Sequence, residues 1–508
     1  MENRAQWGTR AGFILAAVGS AVGLGNIWRF PSVAYENGGG AFFIPYLFAL
    51  LTAGIPLLVL EFTIGQKYRG SAPLSYSRIN RKFEWVGWWQ VFVSFVISTY
   101  YAVIIAWAMS YSVFSFNLSW GDDTEGFLFG EHLKLAEAPG QFGGLVPGVL
   151  IPLILVWAIT LGVLFKGVKK GIEVANRIFI PALVIIFLII VVRALTLPGA
   201  MEGLDAFFKP NFDAIMQPDV WVAAYGQIFF SLSIAFAIMI TYSSYLGKKS
   251  DITNNAFITG FANSGFELLA GIGVFAALGF MANQAGVSVQ EVVSGGVGLA
   301  FVVFPQIINE FPALNGLFGF LFFASLVLAG LSSLISITET YVAGFSEKFG
   351  ISRNKAVAIG GGAAALISLI FATRGGLFFL DAADYFINQF GVAFIGLVEV
   401  ILMAWILRKL NDFQTHANGI SDIQLGSWWK VCLGAITPIV LGYMMFGLFK
   451  LNLLRQFESE TGNYENYSNA FILYGGWFVA LFALVAGILL TFKPWSSQTK
   501  VENYKEVG

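Results

Sequence analysis

Gly19-Ser-Ala-Val-Gly-Leu-Gly-Asn26 lies inside an apolar segment of membrane length. Three glycines and a terminal amide interrupt a helix where lipid ordinarily demands an unbroken one. No water is present there to satisfy the freed amides and carbonyls. Such a gap survives only where those groups face protein, ions or a water-filled space, and it places a binding site near mid-membrane. A second irregularity, Gln227-Ile-Phe-Phe-Ser-Leu-Ser233, puts two hydroxyls in another apolar span. By themselves these read equally well as serines back-bonded to their own helix. The two segments are five apart in the order of spans. Paired interruptions in corresponding places of two halves are the sequence mark of an inverted repeat with a site at its interface.

The rest of the chain fits that reading. Of 508 residues, 57% are hydrophobic and only 12% charged, and mean hydropathy is +0.74. Soluble domains carry roughly 25% charged residues, so an all-α polytopic membrane protein is expected. Twelve spans fall at about 10–36, 40–66, 85–115, 146–166, 170–197, 219–247, 254–283, 316–348, 354–373, 381–409, 428–449 and 471–492. The longest connections are 116–145 and 284–315. The second, with Phe304-Pro305 and Phe311-Pro312, suits a hairpin packed over a mouth. Placing the N-terminus inside puts 22 of the 29 Lys and Arg on inner flanks, so both termini are expected to be cytoplasmic. The first ten residues are polar and show no signal-peptide pattern. A net charge of −1 gives no sign of nucleic-acid binding, and the single cysteine, Cys432, excludes an internal disulfide. His132 and His416 fall in polar loops, so no histidine-based catalytic constellation forms at membrane depth. The helix 1 glycines follow no strand, which excludes a dinucleotide fingerprint. No enzyme is expected.

The run Gly19 to Pro31, continued by Glu36-Asn-Gly-Gly-Gly-Ala-Phe, resembles the neurotransmitter:sodium symporter family, in particular its bacterial amino-acid transporters. The resemblance extends through Gly54-Ile-Pro…Glu61, Gly226-Gln-Ile-Phe-Phe-Ser-Leu-Ser, Ala329-Gly-Leu-Ser-Ser and the Gly171/Pro181 spacing. It implies a five-plus-five inverted repeat with broken helices 1 and 6. The expected boundaries are a cytoplasmic 1–9, repeats at 10–200 and 218–410, helices 11 and 12 at 428–492, and a cytoplasmic 493–508. It also implies location in a bacterial inner membrane; the oligomeric state stays open.

Sodium is a hard cation that takes several oxygen ligands. By resemblance one site uses the Ala21 carbonyl and the side chains of Asn26, Ser231 and Asn263, with the substrate carboxylate. A second uses the carbonyls of Gly19, Val22 and Ala329 and the hydroxyls of Ser332 and Ser333. Two co-transported sodium ions are therefore expected. Without the resemblance, Ser332-Ser333 reads as a small-residue packing pair. Glu267, four residues after Asn263 on the same helical face, is an intramembrane carboxylate and a functional candidate by default. Chloride-dependent relatives carry serine there, so the resemblance implies that Glu267 supplies the negative charge itself, with Tyr46 and Gln227 beside it. Its titration leaves proton exchange open.

For the substrate, the resemblance implies contacts from Ser20, Ala21, Leu24 and Gly25. Tyr101 would donate to a carboxylate, and Phe230 would cover the site. Ile97, Ser231, Ser233, Phe236, Ser333 and Ile337 would line the side-chain pocket. That lining is apolar with a few hydroxyls and no charge, which favours a neutral, hydrophobic amino acid. Ala235 and Ala237 stand where relatives often have glycine. Arg29 and Asp384 match an outer ion-pair gate. Arg4, Trp7 and Glu347 match an inner gate with Ser244, Tyr245 and Glu339 beside it, and exposed pairs of this kind are individually worth about 0–1 kcal/mol. The expected activity is sodium-coupled, chloride-independent amino-acid import by alternating access. The alternative is a sensor on the same scaffold that binds without transporting.

Overall fold

Helix 1 begins where the Thr9 hydroxyl accepts from the Gly12 amide at 2.9 Å, a side-chain N-cap. It runs from Arg10 to Ala21, where Val22 and Gly23 turn extended. The chain re-enters helix at Leu24, and the two halves, Arg10–Ala21 and Leu24–Glu36, meet at 55°. Asn26 Oδ1 accepts from the Gly23 amide at 2.8 Å, so the amide of the motif caps the half-helix that its glycines release. The computed structural model describes residues 5–454 and 467–501. Arg4, expected in the inner gate, lies outside them.

Helix 6 breaks in the same manner, into Pro218–Ser231 and Ile238–Ser243. The break holds Ser233, Ala235 and Ala237 at φ of +52°, +66° and +61°. A left-handed conformation costs an L-residue roughly 1–2 kcal/mol, so this turn is maintained by outside partners. The Ala235 amide donates to Glu61 Oε1 at 2.7 Å, Ser94 Oγ donates to the Phe236 carbonyl at 2.6 Å, and Ser233 Oγ donates to the Ser20 carbonyl at 2.9 Å. The last of these ties one break to the other.

Ten further spans are unbroken and long enough to cross a membrane. They are helices 2 (Gly40–Tyr68), 3 (Arg81–Phe114), 4 (Pro147–Phe165), 5 (Val168–Leu195), 7 (Thr253–Ala285), 8 (Asn315–Phe349), 9 (Arg353–Ala372), 10 (Gly376–Ile406), 11 (Ser427–Leu453) and 12 (Asn469–Thr491). The twelve-helix expectation therefore holds. Helix 10 starts five residues before the expected boundary, and Asp381 and Asp384, already inside the expected span, lie on it. Helices 3 and 8 pack along each other, and helix 12 lies against helix 3. A Cβ on Gly487 would come within 2.8 Å of the Trp89 amide, so glycine permits that approach. Helix 11 is fixed to helix 2 by Thr437 Oγ1 donating to the Thr52 carbonyl at 2.9 Å and Trp429 Nε1 to the Pro56 carbonyl at 3.0 Å. Helices 11 and 12, for which the sequence supplied no role, thus buttress the bundle. Exposed apolar side chains such as Ile151, Ile178, Leu366, Phe446 and Phe478 form its outer surface.

After helix 12 the chain folds back under the bundle. Trp495 Nε1 donates to Glu84 Oε2 at 2.8 Å, while Glu84 Oε1 pairs with Lys348 Nζ at 2.5 Å and accepts from Trp88 Nε1 at 2.9 Å. Lys348 also lies 4.5 Å from the Trp495 ring centroid. Glu84 and Lys348 are both buried, and breaking a buried pair costs roughly 3–5 kcal/mol because one charge is left alone. Glu84→Gln is accordingly expected to lower the unfolding temperature in detergent by several degrees or more, read by tryptophan fluorescence. An unchanged midpoint would show that this cluster does not hold helices 3 and 8 together.

Candidate functional site

The two breaks face each other across a cavity of about 640 Å³. All twelve residues expected at the substrate site, from Ser20 to Ile337, line it. The half-helix starting at Leu24 directs an amide into it, and that amide lies 3.3 Å from the Tyr101 hydroxyl. Ile97, Phe236 and Ile337 supply the apolar wall, and among the described residues no charged side chain lines the cavity at their depth. The cavity runs outward past Arg29, Asp384 and Gly295–Gly298. Those glycines belong to the 284–315 connection, which forms short helices at Val289–Val292, Gly296–Gly298 and Phe304–Asn309 and sits over the mouth as expected.

The residues of the first expected ion site are contiguous. Asn26 Nδ2 donates to Asn263 Oδ1 at 2.8 Å, and Asn263 Nδ2 donates to Ser231 Oγ. One helical turn along helix 7, Glu267 accepts from Gln227 Nε2 at 2.7 Å and from the Tyr46 hydroxyl, which also lies 2.8 Å from Ser264 Oγ. Glu267 is fully buried, and among the described residues no cationic side chain pairs with it. At the second site Ser332 Oγ lies 2.6 Å from the Gly19 carbonyl, and Ser333 Oγ lies 3.5 Å from Gly19 O and 3.4 Å from Ser20 O. Both sites offer carbonyl, amide and hydroxyl oxygens, the donor chemistry a hard monovalent cation takes. Asn176 of helix 5, not singled out in the sequence, joins the second cluster at 2.7 Å from Ser332 Oγ.

The outer gate differs from expectation. Arg29 and Asp384 both line the cavity but form no ion pair. Arg29 lies over the Phe230 ring, 4.7 Å from its centroid, and Asp384 Oδ1 accepts from Asn388 Nδ2 at 2.9 Å. The reason is geometric: in this conformation the cavity is open between them. The opposite end is closed. Trp7 Nε1 donates to the Tyr242 carbonyl at 2.8 Å and the Trp7 amide to the Tyr245 carbonyl at 3.2 Å. Glu347 accepts from the Ser71 hydroxyl at 2.6 Å, and Ser244 Oγ donates to the Thr241 carbonyl at 2.5 Å. Tyr245 donates to Glu339 at 2.7 Å, and Glu339 receives both guanidinium nitrogens of Arg353 at 2.6 Å. Glu339 is fully buried, so the expectation of weak, exposed pairs fails here. Spacing could not reveal the Arg353 clamp, because its partner lies on the preceding helix across a turn. His132 also departs from the polar-loop reading. Burial against Tyr111, Phe114 and Phe127 pushes it down to about 4, so it stays neutral.

The sequence model of the sodium:neurotransmitter symporter family matches residues 4–127 and 122–497. The chain belongs to this family. It is 41% identical over 495 residues to an uncharacterised sodium-dependent transporter of Methanocaldococcus jannaschii, covering 97% of this chain and 99% of that one. It is 30% identical to the human sodium- and chloride-dependent GABA transporter 2, covering 95% of this chain and 85% of the relative. The crystal structure of MhsT in complex with L-phenylalanine superposes with a TM-score of 0.75 at 32% identity, covering 88% of this chain and all of that one. The protein is thus a sodium-dependent membrane transporter of the symporter family and not an enzyme. Its twelve helices, with helices 1 and 6 broken, follow the fold of that solved relative.

Arg353→Gln leaves the buried Glu339 carboxylate without its cation. The closed end is expected to open more often, by about tenfold, the factor that about 1.4 kcal/mol supplies. Alkylation of a cysteine placed at Ser244 in a Cys432→Ser background measures this. Unaltered labelling would show that the Glu339–Arg353 pair does not hold that end closed.

Proposed function

We propose that the protein imports a neutral, apolar amino acid together with two sodium ions and without chloride, by alternating access between the open mouth and the closed end. The observation that carries the substrate reading is the Leu24 amide beside the Tyr101 hydroxyl above an uncharged, apolar wall. A half-helix N-terminus attracts a carboxylate, and carbonyls of the unwound stretch accept from an ammonium. No charged clamp is required for the zwitterion. MhsT, solved in complex with L-phenylalanine, supports this substrate class. The first ion would sit among Ala21, Asn26, Ser231 and Asn263, and the second among Gly19, Val22, Ala329, Ser332 and Ser333.

A carboxylate shared between substrate and first ion makes each bind better in the other's presence, and coupling requires such differential binding between states. Closure of the mouth would bring Arg29 and Asp384 together over Phe230, and opening of the other end would separate Trp7 from Tyr242 and Tyr245. The excess of basic residues on one set of loops supports cytoplasmic termini in an inner membrane. Inward sodium movement then draws about 2.3 kcal/mol per charge per 100 mV. The repeats at 10–200 and 218–410 would rock about the two breaks.

The chloride reading rests on Glu267, a carboxyl group that accepts from the Tyr46 hydroxyl and from Gln227 Nε2. Uptake in proteoliposomes is expected to be unchanged when gluconate replaces chloride, and to become chloride-dependent in Glu267→Ser. A collapse of wild-type uptake in gluconate overturns this. Uptake of the twenty radiolabelled amino acids with and without sodium tests the substrate class. Binding without counterflow would identify a sensor instead. Ser333→Ala removes one ligand of the second site and is expected to raise the half-saturating sodium concentration about tenfold, on the order of one charge-assisted bond. Wild-type sodium dependence in that variant would remove Ser333 from the site.

A further inference from the structure

We propose that Asn176 of helix 5 is the positioning residue that orients the Ser332 hydroxyl for sodium, and so sets how firmly the second site holds its ion. The inference rests on the second-site reading above. Ser332 Oγ lies 2.6 Å from Gly19 O and 2.7 Å from Asn176 Oδ1. Both neighbours are acceptors, and a hydroxyl has one proton. A hydroxyl that ligates a cation must present a lone pair and turn its proton elsewhere. Gly19 O is itself a proposed ligand, so a proton directed at it would point toward the cation. Asn176 Oδ1 is the acceptor that leaves the cage free of hydrogen.

The amide is built to serve this purpose. Asn176 Nδ2 donates to the Ile172 carbonyl at 3.0 Å, which fixes Oδ1 toward Ser332. Both side chains are fully buried. A Cβ on Gly19 would come within 2.4 Å of both Asn176 Oδ1 and Ser332 Oγ, so the three groups form one packed unit. Serine lacks the β-methyl that stiffens χ1 in threonine, and an external acceptor supplies that restraint. An asparagine inside an apolar membrane helix is also costly unless its polar atoms are used.

Helix 5 links this unit to the closed end. Glu173, one turn before Asn176, accepts from the Gly8 amide at 2.6 Å and from Thr9 Oγ1 at 3.0 Å.

The test uses the full-length protein in proteoliposomes, with radiolabelled sodium binding and sodium-dependent amino-acid binding as readouts. Asn176→Ala, and Asn176→Leu, which keeps the branched heavy-atom skeleton but not the acceptor, are expected to raise half-saturating sodium about tenfold. Amino-acid affinity at saturating sodium should stay unchanged. In a Ser332→Ala background the same substitutions should add less than twofold, because the hydroxyl they orient is gone. Full additivity with Ser332→Ala, or an unaltered sodium response in Asn176→Leu, overturns the role of Asn176. A Ser332→Ala variant with wild-type sodium dependence overturns the second-site reading instead.

Discussion

Everything in this bundle is arranged around peptide groups that two helices leave unpaired at mid-membrane. Each such group costs several kcal/mol in hydrocarbon if it finds no partner. The partners come from helices that are themselves unbroken. Glu61 of helix 2 receives the Ala235 amide, Ser94 of helix 3 caps the Phe236 carbonyl, and the Tyr101 hydroxyl lies against the Leu24 amide. The groups left over lie at the cavity that both breaks line. Rigid walls and a polar centre are thus two results of one requirement. The same requirement accounts for a fully buried glutamate in helix 2, where an acid otherwise has no place.

The two ends of the cavity are built differently. At the mouth, Arg29 and Asp384 lie apart, each engaged by a neutral neighbour, a ring in one case and an amide in the other. At the closed end a buried carboxylate takes a bidentate guanidinium, an indole is bonded to a carbonyl of helix 6, and Glu173 secures the backbone before helix 1. Among the described residues the closed end thus carries the denser network of charge-assisted bonds.

Much of this was legible in the sequence, and the part that was not has a physical cause. Glycines and serines inside membrane-length apolar runs announce backbone breaks, because peptide groups freed in lipid must turn toward a polar interior. All twelve expected lining residues accordingly fall on one cavity. Partners brought in from distant helices were not legible. Glu61 was visible only as part of a motif, and its bond to Ala235 depends on how helices 2 and 6 pack. Asn176 lies in a segment read for its glycine and proline, and no periodicity marks an amide as facing helix 8. Arg29 and Asp384 line one cavity without forming the expected ion pair, and a sequence does not encode which conformation is present. The weak-pair expectation for the inner gate failed because Glu339 is interior, and burial depth is a property of the folded bundle.

The guanidinium of Arg29 over the Phe230 ring joins two parts usually thought of separately, a lid and a latch. While they remain stacked, neither can swing without disturbing the other. The ring is also packed on Gly25, where any larger residue would strike it. A side chain at Gly25 would therefore displace the ring and the guanidinium over it together.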